Sequence, residues 1–168
     1  EYMITKVKHG TRRKTPAPPF ITSTLQQEAS RKLGFQSRRT MKVAQELYEG
    51  VDIEGMGATG LITYMRTDSL RISDIAKEEA AQYILNRFGE KFLPAKPRVF
   101  KTKSNAQDGH EAIRPSMPSL APEDVKASLT SDQFKLYNLI WNRFMASQMS
   151  DCIQKTTQAE ISAKEYIF

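Results

Sequence analysis

Residues 130–148, TSDQFKLYNLIWNRFMASQ, contain the pattern that decides the fold class. Thr130 and Gln133 have the spacing of a capping box, in which each side chain hydrogen-bonds the other residue's backbone amide. Apolar and aromatic side chains then recur at helical spacing, namely Phe134, Tyr137, Trp141 and Phe144, and Gln148 continues the same face. The pattern predicts a long helix whose aromatic face lies in the core.

Working outward, three earlier segments also predict helices, each between a capping residue and a glycine. Their bounds, given as cap and terminating glycine, are Ser23 to Gly34, Ser37 to Gly50 and Ser73 to Gly89. The first two are short and adjacent, which favours a helical hairpin, and Pro122 is expected to open a further short helix. Residues 51–60, VDIEGMGATG, contain three glycines in six positions and are interpreted as a loop.

Both ends of the chain are predicted to be strands. Tyr2, Ile4 and the β-branched residues near them indicate a short strand, and the three prolines of KTPAPPF at 14–20 then indicate an extended linker. Residues 151–168 are rich in Thr and Ile with alternating polarity, and Cys152 within them is interpreted as a partly buried thiol. We therefore expect a mainly α protein, α+β overall, with a helical domain at 19–149 between strand segments at 1–18 and 150–168.

The composition is that of one basic globular domain. The 168 residues include 25 Lys and Arg against 19 Asp and Glu, and 39% are hydrophobic, which is too apolar for disorder. Ten of the cations and only two of the anions lie in residues 1–42. A second basic cluster follows at Lys96, Arg98, Lys101 and Lys103. Such patches suit a phosphate backbone, although a solvated face is an alternative interpretation.

No uncharged apolar run approaches the length of about 18 residues that a membrane span needs. We therefore expect no membrane partner and a cytoplasmic location. Because position 1 is Glu and the last residues continue an apolar-rich segment, we also expect the chain to be part of a longer protein.

The run LITYMRTDS at 61–69 places polar groups around one phenol, that of Tyr64. A phenol is almost fully protonated at neutral pH, so a tyrosine nucleophile needs a neighbouring cation or base that favours the phenolate. Arg66 is a candidate for that cation, and its guanidinium can also hold a phosphate through two parallel hydrogen bonds. The alternative is a core tyrosine beside a surface arginine.

Two further segments contain candidate phosphate-binding groups. In DGHEAIRPS at 108–116, His110 and Arg114 can grip adjacent phosphate oxygens from the long irregular segment 94–122, unless Glu111 simply pairs with Arg114. In PFITSTLQQ at 19–27, hydroxyls and helix N-terminal amides can receive a phosphate, although ordinary helix capping explains these residues equally well.

Together these segments resemble the catalytic-tyrosine region of type IA DNA topoisomerases of the bacterial topoisomerase I group. The resemblance covers nearly the whole chain and rests on PFITSTLQQEASRKLGF at 19–35, MKVAQELYEG at 41–50, GLITYMRTDS at 60–69, GHEAIRPS at 109–116 and LYNLIWNRFMASQM at 136–149. It implies an ATP-independent isomerase in which Tyr64 attacks a DNA phosphodiester and forms a 5′-phosphotyrosine. A second strand then passes through the gap, and negative supercoils are relaxed.

Transferred by motif, the resemblance implies a role for each polar side chain. Arg66 would position and activate Tyr64 and the phosphate, Asp68 would organise the site, and His110 would contact the bound strand. Thr67, Ser69 and Arg114 are weaker candidates for DNA contacts. Arg38 and Arg39, from the basic N-terminal segment, are further candidates.

The resemblance also implies that this chain is a fragment. Type IA enzymes hold Mg²⁺ with acidic residues of a Toprim domain that include a D-x-D-x-E cluster, whereas this sequence contains no D-x-D. We therefore expect no metal ligands in this chain and no activity from it alone. The terminal strands would belong to a neighbouring arch domain, and the partners would be single-stranded DNA and the remaining domains of the parent enzyme.

Two alternatives remain open. Tyrosine recombinases and type IB topoisomerases also join tyrosine to phosphate, but their tyrosine follows the histidine and arginines in the chain, whereas Tyr64 precedes His110 and Arg114. A non-enzymatic helical module that binds single-stranded nucleic acid is the second alternative, and it predicts no covalent adduct.

Overall fold

The computed structural model describes residues 2–101, 109–164 and 166–168. Within them the expected α+β class, with helices predominating, is confirmed. The chain divides into two compact units, one of Ala17–Ser150 and one of Glu1–Pro16 with Asp151–Phe168. Along the chain the elements are β1 (Tyr2–Lys14), α1 (Thr22–Leu33), α2 (Ser37–Glu49), β2 (Val51–Ile53), β3 (Gly57–Thr59), α3 (Asp74–Phe88), α4 (Pro122–Val125), α5 (Ser131–Ser147), β4 (Cys152–Ala163) and β5 (Tyr166–Ile167).

The helix ends largely follow the local capping signals. The Ser73 hydroxyl accepts a hydrogen bond from the Ala76 amide, and Thr130 forms the predicted capping box with Gln133. Gly34 ends α1 in the left-handed conformation, with φ of 67°, which glycine adopts without a steric cost. These helix bounds therefore need no tertiary contact to define them.

The start of α1 differs from the prediction. The helix begins at Thr22, and Ile21 rather than Ser23 is the N-cap residue. The Thr24 hydroxyl accepts a hydrogen bond from the Ile21 amide at 3.0 Å, and the Thr22 amide donates to the carbonyl of Thr67 at 3.0 Å. The first turn of α1 is thus bonded to a distant segment of the chain. The local capping pattern does not predict that hydrogen bond.

The predicted loop at 51–60 is instead a small antiparallel hairpin of β2 and β3. Val51 pairs with Thr59 and Ile53 with Gly57. The chain reverses through Gly55 and Gly57, whose φ angles of 79° and 73° are accessible to glycine. Ile53 is buried, so the hairpin closes over the core rather than extending into solvent.

The core of the helical unit forms where α5 packs against α1 and α2. The predicted aromatic face of α5 is confirmed for Tyr137, Trp141 and Phe144, whereas Phe134 is only half-buried. The Tyr137 hydroxyl donates to the carbonyl of Leu120 at 2.7 Å, and the Trp141 indole donates to that of Pro118 at 3.0 Å. Irregular backbone therefore satisfies the polar atoms of the buried aromatic side chains, as burial requires.

The second unit is an antiparallel ladder of strand order β1, β4, β5. The register runs from Tyr2 opposite Ala163 to Lys14 opposite Cys152, with one irregularity between Ile4 and Lys6. The first strand is much longer than the short strand predicted. Cys152 is exposed and not partly buried as predicted, because two long paired strands bury little of each other's side-chain surface.

Candidate active site

Three segments far apart in sequence join to form one site in the helical unit. Phe20 and Ile113 form an antiparallel bridge, and the Ile113 amide donates to the carbonyl of Phe20 at 2.8 Å. Ile62 bridges Pro115, and the Thr63 amide donates to the carbonyl of Arg114 at 2.9 Å. Backbone hydrogen bonds therefore connect all three of the segments that the sequence indicated, 19–27, 61–69 and 109–116.

Thr22, at the start of α1, holds the segment that follows Tyr64. Its hydroxyl oxygen accepts a hydrogen bond from the Thr67 amide at 2.9 Å and lies 2.8 Å from the carbonyl oxygen of Met65. A hydroxyl donates and accepts at once, so this single side chain can satisfy backbone groups on both sides of Arg66. The hydroxyl is thus used for positioning rather than for capping.

The end of α2 supports the segment that leads into Tyr64. The Leu61 amide donates to the carbonyl of Leu47 at 2.8 Å. A Cβ added at Gly60 would lie 2.8 Å from the carbonyl oxygen of Tyr48, closer than real Cβ atoms approach. Glycine at position 60 therefore permits the close approach that places Tyr64 beside the end of α2.

Tyr64 is not a core residue, because its side chain is 38% exposed. Its ring contacts two aromatic neighbours. The Tyr48 ring meets it edge-on with a centroid distance of 5.3 Å, and the His110 ring lies at 6.2 Å with an interplanar angle of 33°. The phenol is thus oriented by ring contacts while it remains accessible to a substrate.

A cleft of about 540 Å³ lies at His110. Its lining residues come from the start of α1 and from the two motifs: Ile21, Thr22, Ser23, Arg66, Thr67, Asp68 and His110. Arg66, Asp68 and His110 are exposed to solvent. A guanidinium, an imidazole and a helix N-terminus together favour an anionic ligand such as a phosphate, and Asp68 is the opposing charge.

Thr67 and Ser69 use their hydroxyls within the chain. Both residues are buried, with relative exposures of 9% and 4%. The Thr67 hydroxyl accepts from the Ser69 amide at 3.1 Å, and the Ser69 hydroxyl accepts from the Arg71 amide at 3.2 Å. These contacts shape the turn after Arg66, so only Thr67 of the two lines the cleft.

Arg114 is buried and bonded through each of its side-chain nitrogens. Nε donates to Glu111 at 2.7 Å, one terminal nitrogen donates to the carbonyl of Pro115 at 2.8 Å, and the other lies 3.4 Å from the Ser73 hydroxyl. Burial on its own raises the pKa of Glu111, but the hydrogen bond and charge of Arg114, together with the Ser73 amide and the charge of Arg71, outweigh it and hold that pKa below its ordinary value. The pairing of Glu111 with Arg114, one of the two interpretations, is therefore present.

Arg38 and Arg39 have different surroundings although they are adjacent. Arg39 donates to both carboxylate oxygens of Asp132, at 2.7 and 2.8 Å, and stacks over the Phe35 ring at 4.4 Å. Arg38 is exposed and lines a second cleft, of about 460 Å³, together with Arg66. Two other predicted residues, Lys103 and Asp108, lie outside the described residues.

Sequence reasoning missed two residues near the site. Tyr48 lies outside the polar runs that indicated the site, yet it is exposed and contacts the Tyr64 ring. Lys42 lines the second cleft, one turn of α2 after Arg38. The spacing of Arg38 and Lys42 by four residues was the available signal for a shared face.

The described part of the chain lacks both a metal-binding cluster and a membrane-spanning helix. It contains no group of three His, Cys, Asp or Glu side chains placed to hold a metal ion. Residues 2–101, 109–164 and 166–168 also contain no helix long and apolar enough to cross a membrane.

Comparison with known proteins places these features in a family. Residues 1–168 match the model of a family described as DNA topoisomerase. The structure is similar to that of full-length topoisomerase I from Thermotoga maritima, with a TM-score of 0.83 and 44% sequence identity over 99% of this chain. The match covers 26% of the Thermotoga chain, so the present chain spans about a quarter of that protein's length. With the family match over its whole length and this similarity in fold, the chain belongs to the type IA DNA topoisomerase family.

Proposed function

We propose that Tyr64 is the nucleophile of a DNA strand-cleavage reaction carried out by the parent protein. Its phenolic oxygen attacks a backbone phosphorus, the bond from phosphorus to the 3′ oxygen breaks, and a 5′-phosphotyrosine forms. The phenol loses a proton and the 3′ oxygen gains one. Reversal of the same step reseals the strand, and because the covalent bond conserves the phosphodiester free energy, no ATP is consumed.

One observation carries this proposal. An exposed tyrosine contacts two aromatic rings, and one of these, His110, lines a cleft that also contains Arg66 and the start of α1. A nucleophile beside a cleft that offers a guanidinium, an imidazole and the amides of a helix N-terminus to a phosphate suits phosphoryl transfer. Family membership makes DNA the expected source of the phosphate.

The other cleft residues have distinct roles in this proposal. Arg66 binds the scissile phosphate, because a guanidinium stabilises the negative charge that builds up on that group. His110 contacts the neighbouring backbone, and Asp68 orients the cationic groups. Single-stranded DNA is the preferred substrate, since an unpaired strand can bend to bring one phosphate in line with Tyr64.

The proposed reaction scheme assigns no step to a magnesium ion. The described residues do not fit a magnesium site, since no three of their acidic, histidine or cysteine side chains converge. The proposal therefore assigns any magnesium ligands to another domain of the parent protein. Strand passage, relaxation of negative supercoils and a cytoplasmic site of action are likewise proposed for the parent protein.

The experiment compares the parent protein with its Tyr64→Phe variant. Phenylalanine keeps the ring contacts with Tyr48 and His110 but lacks the oxygen that attacks phosphorus. We expect protein-linked DNA, trapped by rapid denaturation, to disappear while the melting temperature changes little. A covalent adduct that persists in Tyr64→Phe would overturn the assignment.

The same experiment separates the alternatives. Mapping the linked DNA end gives a 5′ phosphate for the proposed reaction and a 3′ phosphate for a recombinase or type IB mechanism. A helical binding module without chemistry would bind strands equally well before and after Tyr64→Phe and would give no adduct with the parent protein.

A further inference from the structure

The second cleft presents one face of α2. Its lining residues on that helix are Ser37, Arg38, Met41, Lys42 and Gln45, which lie on one side of the helix, and Gln26 and Arg66 complete it. The opposite face of α2 carries Val43, Ala44 and Leu47, which are buried in the core. Because packing holds the buried face, the orientation of the cationic face towards the cleft is fixed.

The cations of this cleft differ from their neighbours in having no acidic partner among the described residues. On α1, Arg31 and Lys32 both pair with Glu28, and on α2 Arg39 pairs with Asp132. The side chains of Arg38, Lys42 and Arg66 have no hydrogen bond or ion pair to a described residue, and all three residues are exposed. The nearest acidic contact of a lining residue is that of Gln45, which donates to Glu49.

Arg66 lines both clefts, so the second cleft adjoins the one that contains His110. Side chains that can donate hydrogen bonds therefore extend from the nucleophile's neighbours, past Arg66, to the first turns of α2. A ligand with evenly spaced anionic groups can engage both clefts, whereas a single phosphate can occupy only one. A nucleic acid strand has this chemistry.

We propose that Arg38 and Lys42 form a second phosphate subsite, which holds the same single strand of DNA beyond the phosphate at Arg66. This inference rests on the proposed function, because the strand in the first cleft defines which ligand continues into the second. It assigns a DNA contact to Lys42 and to Arg38, and none to Arg39, whose guanidinium is engaged by Asp132.

The test uses this chain and a labelled single-stranded oligothymidylate at several salt concentrations. The variant is Arg38→Gln with Lys42→Gln, and both positions are exposed, so folding should be retained. The matched control is Arg31→Gln with Lys32→Gln, which removes the same two charges from the neighbouring helix. Melting temperatures of all three proteins check that the fold is intact.

We expect the Arg38 and Lys42 variant to bind roughly 10-fold more weakly at low salt, with a salt dependence shallower by about 0.7 for each lost phosphate contact. The control should retain most of its affinity and its original slope. Unchanged binding by the Arg38 and Lys42 variant would overturn the subsite. An equal loss in the control would also overturn it, because net charge alone would then explain the binding.

Failure of this inference is distinguishable from failure of the proposed function. In the parent protein, the Arg38 and Lys42 variant should need more DNA to reach half of its maximal covalent adduct, whereas Tyr64→Phe should bind the strand but form no adduct at any DNA concentration. If the adduct depends on Tyr64 and the double variant binds normally, only the subsite is wrong. If the adduct does not depend on Tyr64, the proposed function is wrong whatever the salt data show.

Discussion

At the residue scale, arginines from the two motifs have opposite environments. Arg114 is buried and bonds Glu111, Pro115 and the Ser73 hydroxyl, so its fork connects the 110–116 segment to the start of α3. Arg66 is exposed and has no bonded partner among the described residues, so its fork is available to a ligand. Arg114 therefore stabilises the fold around the site, whereas the side chain of Arg66 is available to bind a ligand.

His110 gives the first prediction, because it is exposed and its ring contacts Tyr64. We expect His110→Ala to weaken strand binding or cleavage by the parent protein, since it removes a phosphate donor and one of the two rings that orient Tyr64. The free energy of unfolding should change by less than about 0.5 kcal/mol, as for ordinary surface substitutions.

Strand-binding titrations, cleavage assays and melting curves measure these effects. The control is His9→Ala, which removes the other histidine, located in β1. A loss of several kcal/mol in stability for His110→Ala would instead assign that residue a packing role.

At the element scale, the end of α2 and the segment after it must approach closely for Tyr64 to reach its position. The second prediction is that Gly60→Ala destabilises the protein by about 1–3 kcal/mol, because its Cβ would meet the Tyr48 carbonyl at 2.8 Å and displace the Leu61 hydrogen bond. Cleavage by the parent protein should fall as well, since Tyr64 moves with this segment. Chemical denaturation and an adduct assay measure the two effects.

Gly109→Ala is the matched stability control, because a Cβ there meets no atom within 4 Å. Equal stability of the Gly60 and Gly109 variants would show that the close approach at Gly60 can relax without cost.

A second contact between elements joins the 110–116 segment to α3 through Glu111, whose carboxylate accepts from Arg114 and from the Ser73 amide. The folded state holds the pKa of Glu111 below the ordinary value of 4.5, so it favours the ionised form more than the unfolded state does. The stabilisation is therefore fully present above that ordinary value and is lost as the pH falls through the lower, folded value.

The third prediction follows from the lowered pKa of Glu111 in the folded state. Glu111→Gln should lower the free energy of unfolding at neutral pH, and its difference from the wild type should shrink as the pH falls below about 4.5. Urea unfolding of both proteins across a pH series tests this expectation. A difference that stays constant, or that grows in acid, would contradict the role of the Glu111 charge.

At the scale of the whole molecule, the chain holds the proposed nucleophile and the two clefts, and we expect other domains of the parent protein to supply the remaining groups that the proposed reaction needs. It spans about a quarter of the length of the similar Thermotoga protein, and the described residues contain no metal-binding cluster. The fourth prediction is that this chain alone binds single-stranded DNA weakly, with an affinity that falls steeply as salt rises, and forms no covalent adduct.

Labelled strands, magnesium and denaturing gels measure adduct formation, first with this chain and then after addition of a separately made Toprim-containing fragment. An adduct formed by the chain alone would contradict the expectation that the metal site lies in another domain. Binding that is independent of salt would contradict phosphate contacts as its source.

The sequence by itself predicted the features that depend on neighbours within one helical turn. The capping box of Thr130 and Gln133, the Ser73 cap and the left-handed Gly34 all act through hydrogen bonds or backbone angles close in the chain, so their signals are local. The segments that form the site were also identifiable, because their polar residues are concentrated in short runs.

Only the tertiary structure decided which of those residues line the clefts and which are buried. The start of α1 depends on the hydrogen bond between Thr22 and Thr67, and the burial of Arg114 depends on Glu111 and on Ser73 in another segment. Arg38 and Arg39 are adjacent in sequence, yet Asp132, far along the chain, engages only Arg39. Such assignments depend on contacts between distant segments, which the local pattern of residues does not contain.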